Sequence, residues 1–333
     1  MTMTREFEVS RQVVVGDTAD VYLHRTLTIL RNEGTNPDVV IEFTPDREGV
    51  LCGVNEARAL LSKVLPESGR EVWALEEGAA VAAGEVALRV HGSYASFGLY
   101  ETAICGMLAC GTGWATAARE CVEAAEGIPV VSYGARHVHP SVVGTMEYSA
   151  VVGGCVSVSS VIGARLCNLT PAGTMPHELS LVMGDTLRAV QAFDKQMPPD
   201  VPRIAVVDTF RDEAEEAIRV ARAMREKLRG VRLDTVRERG GVTPALVHEV
   251  RARLDQAGFS HVDLYVTGGI TPDRIRQFVD ADAPVGVFGV GGYIATGRPN
   301  PFSAEIHEID GKATARRGRI PGVTRNSRLA RIL

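Results

Sequence analysis

Short apolar runs separated by glycine, proline and charged residues set the rhythm of this chain. From about Phe7 to Gly113 the pattern is mixed. Val39 to Phe43, Val72 to Leu75 and Val86 to Val90 read as strands; Asn55 to Val64 and Phe97 to Leu108 read as helices. From about Trp114 the pattern becomes strand then helix, repeated. Strand candidates are Val130 to Tyr133, Cys155 to Val158, a segment near Leu169, Ile204 to Val207, Val231 to Leu233, Asp263 to Val266 and Val285 to Phe288. The helix read over Arg211 to Arg229 carries Ala214, Ala217, Ile218, Ala221, Met224 and Leu228 on one face and is predicted to stop at Gly230. The next opens on Thr243-Pro244, buries Leu246, Val247, Val250 and Leu254, and stops at Gly258. Alternating strands and helices predict a parallel sheet covered by helices. About seven strands predict an irregular, incomplete α/β barrel rather than a full eight-stranded one.

Ala304 to Ile309 is again extended and is expected to return to the first part of the chain. With 333 residues, two domains are expected. They are an N-terminal α+β domain over 1–113, joined by 302–333, and an α/β barrel over 114–301. Glu76 to Glu85 has the look of a lipoyl-type hairpin, but no lysine sits at its tip, so a lipoyl carrier is not expected.

Two glycine turns close the barrel pattern, at Thr267-Gly268-Gly269-Ile270 and Phe288-Gly289-Val290-Gly291-Gly292. Between them Thr271 to Val279 reads as a helix with Thr at the N-cap and Pro at its first position. Glycine lets backbone N–H groups approach an anion with no Cβ in the way. Two such turns on consecutive parallel strands predict the phosphate-binding end of a barrel. The Gly-x-Gly-Gly at 289–292 is not a dinucleotide fingerprint, because it comes last and no strand–helix–strand unit follows it.

Composition removes several alternatives. A net charge of −5 gives no reason to expect nucleic acid or an anionic membrane as partner. The start, Met1 to Glu8, lacks the apolar core of a signal peptide, and no apolar run reaches membrane length. The six cysteines form neither a Cys-x-x-Cys pair nor a zinc pattern, as expected of buried thiols in a reducing cytoplasm. The tail from Lys312 to Arg331 is basic.

The chemistry of such a barrel sits where strands end. Those positions carry Ser132 to Pro140, with Tyr133, Arg136, His137 and His139, then Gly173 to Glu178, with Thr174 and His177. Asp208-Thr209, Asp234-Thr235 and the glycine turns follow. Arg136, beside two histidines, reads as an anion ligand rather than a surface ion pair. His137 and His139 share a face if that segment is extended, but no third ligand is identifiable and no metal site is expected. His177 opens a helix, where an anion is favoured; a backbone-bonded histidine is the plain alternative. Asp208 and Asp234 fit ribose hydroxyls or a Mg²⁺ shell, or else merely cap the following helices.

In their order, these segments resemble the nicotinate phosphoribosyltransferases, particularly their shorter archaeal-type members. Those carrying the resemblance are Ser132 to Pro140, Gly153-Gly154-Cys155, Gly173 to His177, Val231 to Thr235, Gly268-Gly269 and Phe288 to Gly291, with Gly16 to Thr26 and Tyr100 to Gly106. The resemblance implies a type II phosphoribosyltransferase fold and a homodimer with shared active sites. It implies transfer from 5-phosphoribosyl-1-pyrophosphate, carried with Mg²⁺, to nicotinate. By the same resemblance Tyr22 and Tyr133 sandwich the pyridine, and Arg136 binds substrate anions. His177 is phosphorylated where ATP is coupled, and Asp234 contacts ribose. Gly268, Gly269, Gly289 and Gly291 hold the 5′-phosphate, while His137, His139, Thr174 and Asp208 complete the substrate site. The family pattern has two arginines where this chain has Arg136-His137. A neutral imidazole grips a carboxylate or pyrophosphate less than a guanidinium fork does. Quinolinate or another heteroaromatic acid is therefore the alternative acceptor, and a silent sugar-phosphate-binding protein the alternative class.

Overall fold

The computed structural model describes residues 7–333; the polar start read at Met1 to Glu8 falls largely on residues 1–6, outside the described residues. The chain divides into two compact units, one of residues up to Ala117 together with Gly297–Leu333, the other of Ala118–Thr296. Among the described residues no helix is long and apolar enough to cross a membrane.

The first unit is built on an antiparallel sheet, ordered Lys312–Ala313, Phe302–Ile309, Asp38–Pro45, Leu88–Ser93, Glu71–Ala74 and Ala330–Arg331. The extended segment read at 304–309 pairs with 38–45, Ala304 lying opposite Phe43. Leu88 and Val90 point into the core while Arg89 and His91 point away, as the two-residue period requires. The helix Val54–Val64 buries Ala57, Leu60 and Leu61 against this face. Glu77 caps it, accepting from the N–H groups of Gly53 and Asn55, each at 2.9 Å. The segment 76–85 makes no lipoyl-like hairpin; its Ala80–Val81 pairs with Gly49–Val50.

The helix read at 97–108 is instead Glu101–Ala124. It runs on through Gly111 and Gly113, which mark close approaches rather than a stop. A Cβ on Gly111 would lie 2.9 Å from the Cys52 carbonyl oxygen, and one on Gly113 would lie 2.5 Å from that of Arg298. A helix tolerates each glycine at about 1 kcal/mol.

The second unit carries six strands: β1 (Val130–Ser132), β2 (Ser157–Val158), β3 (Arg203–Val206), β4 (Leu228–Leu233), β5 (Asp263–Val266) and β6 (Val287–Val290). They form one sheet in the order β2-β1-β6-β5-β4-β3, every neighbouring pair parallel. The first and last strands thus lie side by side, and the curled sheet is an incomplete α/β barrel open between β2 and β3. The seventh strand expected near Leu169 does not form. Asn168, at φ 53°, ends the helix Val161–Cys167, and the Leu169 N–H turns back to the Ala164 carbonyl at 2.8 Å. The helix read to Gly230 ends at Met224. Gly230 lies inside β4, where a Cβ would meet the Tyr265 ring at 2.7 Å. That glycine makes room for an aromatic on the next strand.

Helices Glu213–Met224, Pro244–Gln256 and Pro272–Asp280 connect β3 to β6, each opened by a side-chain cap from Asp212, Thr243 or Thr271. Val206, Val231, Leu233, Val266 and Phe288 are fully buried between sheet and helices. Phe288 packs on Phe278 with ring centroids 5.8 Å apart. Parallel strands end on one side, so Tyr133, Asp208, Asp234, Gly268 and Gly291 follow their strands along a common rim.

Candidate active site at the strand ends of the barrel

The rim gathers a connected polar group. Asp208 follows β3 and its carboxylate is almost wholly buried. Its Oδ1 lies 2.8 Å from His177 Nε2, and its Oδ2 accepts the Asp234 backbone N–H at 3.0 Å. Both oxygens are therefore committed, and Asp208 caps no helix. His177 is the first residue of the helix His177–Met183. The hydrogen bond to Asp208 raises its pKa above the ordinary histidine value, against an opposing effect of burial.

Arg232 on β4 ties this pair to the rest. Its Nη1 donates to Thr174 Oγ1 at 2.7 Å, and its Nη2 stands 3.5 Å from His177 Nδ1 and 3.6 Å from Asp234 Oδ2. Burial raises the Asp234 pKa, outweighing the nearby Arg232 charge. Two carboxylates, a fixed guanidinium and a titratable imidazole thus converge at the ends of β3 and β4. Such a set can accept hydrogen bonds from sugar hydroxyls and donate to phosphate oxygens.

The glycines differ in role. Gly268, at φ 88°, has Asp234 Oδ1 where a Cβ would be, at 2.6 Å; Gly269, at φ 62°, faces open space. Gly289 lies within β6, not in a turn. A Cβ there would strike the Tyr133 ring at 2.5 Å, so this glycine seats the aromatic. Tyr133 is half-buried; burial raises its pKa, and the Arg232 charge acts in the opposite sense. After β6, Gly291 stands at the N-cap of the short helix Gly292–Ala295.

Residues 134–137 form a 3₁₀ turn, not the extended segment that would align His137 with His139. His137 packs on Gly291, its Nε2 3.1 Å from that residue's would-be Cβ. His139 is exposed and caps its own turn, Nδ1 accepting the Ser141 N–H at 3.2 Å. Arg136 is exposed. Among the described residues no cluster of three or more His, Cys, Asp or Glu could hold a metal ion. Tyr22 belongs to the other unit, exposed on the helix Val21–Asn32.

Two family models match the chain in sequence: the quinolinate phosphoribosyl transferase N-terminal domain over residues 20–110 and its C-terminal domain over 114–303. The chain belongs to this phosphoribosyltransferase family. A nicotinate phosphoribosyltransferase of Mycobacterium tuberculosis is 28% identical over 234 residues, which cover 69% of this chain and 49% of that protein. The chain spans about half the length of the curated relatives it matches. Among solved structures, a nicotinate-nucleotide pyrophosphorylase from Pyrococcus furiosus superposes with a TM-score of 0.87 at 40% identity, over 96% of this chain and 82% of that one. Human nicotinic acid phosphoribosyltransferase shares the fold, with a TM-score of 0.73 at 18% identity, over 91% of this chain and 77% of that one.

Within this family member the sequence reading missed Arg232 as a site residue. The signal was available: on a strand, Gly230, Arg232 and Asp234 share one face, so an arginine two residues before a site aspartate reaches the same side. Thr267 was missed as well. Its hydroxyl donates to the Leu233 carbonyl at 3.2 Å, and its methyl group would be the other neighbour of a Gly289 Cβ. No sequence signal marks that packing.

Proposed function

We propose that this chain transfers a phosphoribosyl group from 5-phosphoribosyl-1-pyrophosphate to the ring nitrogen of nicotinate, giving nicotinate mononucleotide and pyrophosphate. The observation that carries the reading is the convergence of Asp208, His177, Arg232, Thr174 and Asp234 beside two glycine segments, on a sheet of this family. In the step, the bond from C1 to the pyrophosphate oxygen breaks and the leaving group keeps the electron pair. The pyridine nitrogen then supplies the pair for the new C1–N bond. The sugar is cation-like in between, so the protein contributes positioning and charge stabilisation. Asp234 holds the ribose hydroxyls, and the turn at Gly268-Gly269 and the helix start at Gly291-Gly292 hold the 5′-phosphate. Arg136 holds the leaving pyrophosphate, and Tyr133 stacks the acceptor ring. Asp208 aligns His177 and Asp234. Mg²⁺ would come bound to the donor's pyrophosphate, and Asp234 would be the carboxylate on this rim able to hold it, because both oxygens of Asp208 are already used. A homodimer in which Tyr22 of a second copy stacks the other ring face belongs to the same reading, as does a phosphoryl-accepting role for His177 with ATP.

The second reading has quinolinate as acceptor, with CO₂ released as well. The names of the two matching family models favour it. Pyrophosphate release measured with nicotinate, quinolinate and nicotinamide, with and without ATP, tests both. Release with nicotinate alone supports the first reading, and release with CO₂ from quinolinate replaces it with the second. Donor binding without release from any acceptor makes the chain a sugar-phosphate-binding protein.

A further inference from the structure

Glu213 is a buried carboxylate, 1% exposed, at the first position of the helix after β3, and the transfer chemistry makes no use of it. Its Oε1 accepts from Thr235 Oγ1 at 2.7 Å and from Arg239 Nη1 at 3.1 Å; its Oε2 faces Arg239 Nη2 at 3.4 Å. Thr235 directly follows Asp234. The Asp234-Thr235 pair is thus clamped at two points by the preceding strand–helix connection. Asp208 takes the Asp234 backbone N–H, and Glu213 takes the Thr235 hydroxyl. Arg239 belongs to the 3₁₀ turn Arg237–Arg239, which two positive-φ residues, Gly240 and Gly241, follow. Beyond them the Val242 carbonyl is fixed by Arg274. A buried carboxylate without partners would be costly, whereas this one has a hydroxyl and a guanidinium from a single loop. The charge therefore fixes where that loop, and the aspartate at its head, can stand.

We propose that Glu213 is a positioning residue for the donor sugar: through Thr235 it sets the carboxylate of Asp234, and through Arg239 it holds the 236–241 loop closed on the rim. The inference rests on reading Asp234 as the ribose ligand. Glu213 touches no substrate, and its effect passes through Asp234.

The test is a double-mutant cycle with steady-state kinetics on the full chain. Thr235→Val keeps the side-chain shape and removes only the hydroxyl. It should lower kcat/KM for the phosphoribosyl donor about tenfold to a hundredfold. The acceptor KM should stay as in wild type. On an Asp234→Asn background the same change should add little, because the group it positions is already gone. A Thr235→Val enzyme with wild-type donor kinetics, or effects that multiply fully with Asp234→Asn, overturns the proposal. The loop provides a readout independent of activity. Glu213→Gln should speed tryptic cleavage after Arg237 and Arg239, and unchanged cleavage overturns the loop-holding part. A wild-type chain that releases no pyrophosphate from any acceptor refutes the function but leaves the cleavage result standing.

Discussion

Gly268→Ala is the sharpest probe of the rim. Gly268 and Gly269 both hold positive φ, 88° and 62°, but only Gly268 has a neighbour where a Cβ would go: Asp234 Oδ1 at 2.6 Å. Forcing an alanine into the left-handed region costs about 1–2 kcal/mol at either position. A stiffer unfolded chain returns about 0.4–1 kcal/mol. Gly269→Ala should therefore lose between about 0 and 1.6 kcal/mol. Gly268→Ala must also push the carboxylate from 2.6 Å to an ordinary contact of 3.4 Å, a shift of 0.8 Å. Asp234 is short and ends at that oxygen, so it yields, at the low end of the overpacking range, about 1 kcal/mol more. The larger consequence falls on turnover, because a displacement near 1 Å at a positioned group costs about a hundredfold. Urea denaturation with matched slopes gives the stability differences, and donor kinetics give the functional one. The decisive comparison repeats Gly268→Ala on an Asp234→Ala background, where its excess cost over Gly269→Ala should vanish. If Gly268→Ala costs the same on both backgrounds, the steric reasoning is wrong.

Three further outcomes are expected. His177 has a raised pKa through its bond to Asp208, so that bond stabilises the fold fully below the unfolded value of about 6.5 and fades as pH rises through the folded one. Asp208→Asn should thus destabilise most on the acid side, and urea midpoints that shift equally at all pH values would contradict this. Burial and, less, the Glu77 charge push Glu56 from 4.5 up to about 7, so its contribution to stability fades as pH climbs through that window. Glu56→Gln should match wild type in acid and exceed it above neutrality by up to about 3 kcal/mol; thermal midpoints across pH check it. Arg136 is exposed, so Arg136→Ala should leave the thermal midpoint in place while removing about 2–4 kcal/mol of transition-state stabilisation. Near-wild-type turnover would remove Arg136 from the site.

Local pattern determined much of this protein. The alternation of apolar strands and one-faced helices from residue 114 onward specified a parallel α/β sheet, and the strand-end positions picked out Tyr133, His177, Asp208 and Asp234, which the fold brings to one rim. Those readings work because side-chain periodicity and turn chemistry are encoded within a few neighbouring residues. What failed shares one cause. Gly111, Gly113 and Gly230 look like breaks in sequence, yet they sit inside regular elements where another backbone or a Tyr265 ring approaches. The stretch near Leu169 is apolar enough for a strand, but Asn168 turns it back to the preceding helix. His137 and His139 share a face only if extended, and His137 instead closes a 3₁₀ turn. Arg232 becomes the hub of the rim only once β3, β4 and the 168–176 segment are side by side. Glycine's role depends on what packs against it, and a charged cluster depends on residues about 60 positions apart, Thr174 to Arg232, meeting in space. The two glycine segments at β5 and β6 were legible in the sequence only as candidate phosphate sites. That Gly268 is also reserved for Asp234, and Gly289 for Tyr133, was decided by tertiary packing alone.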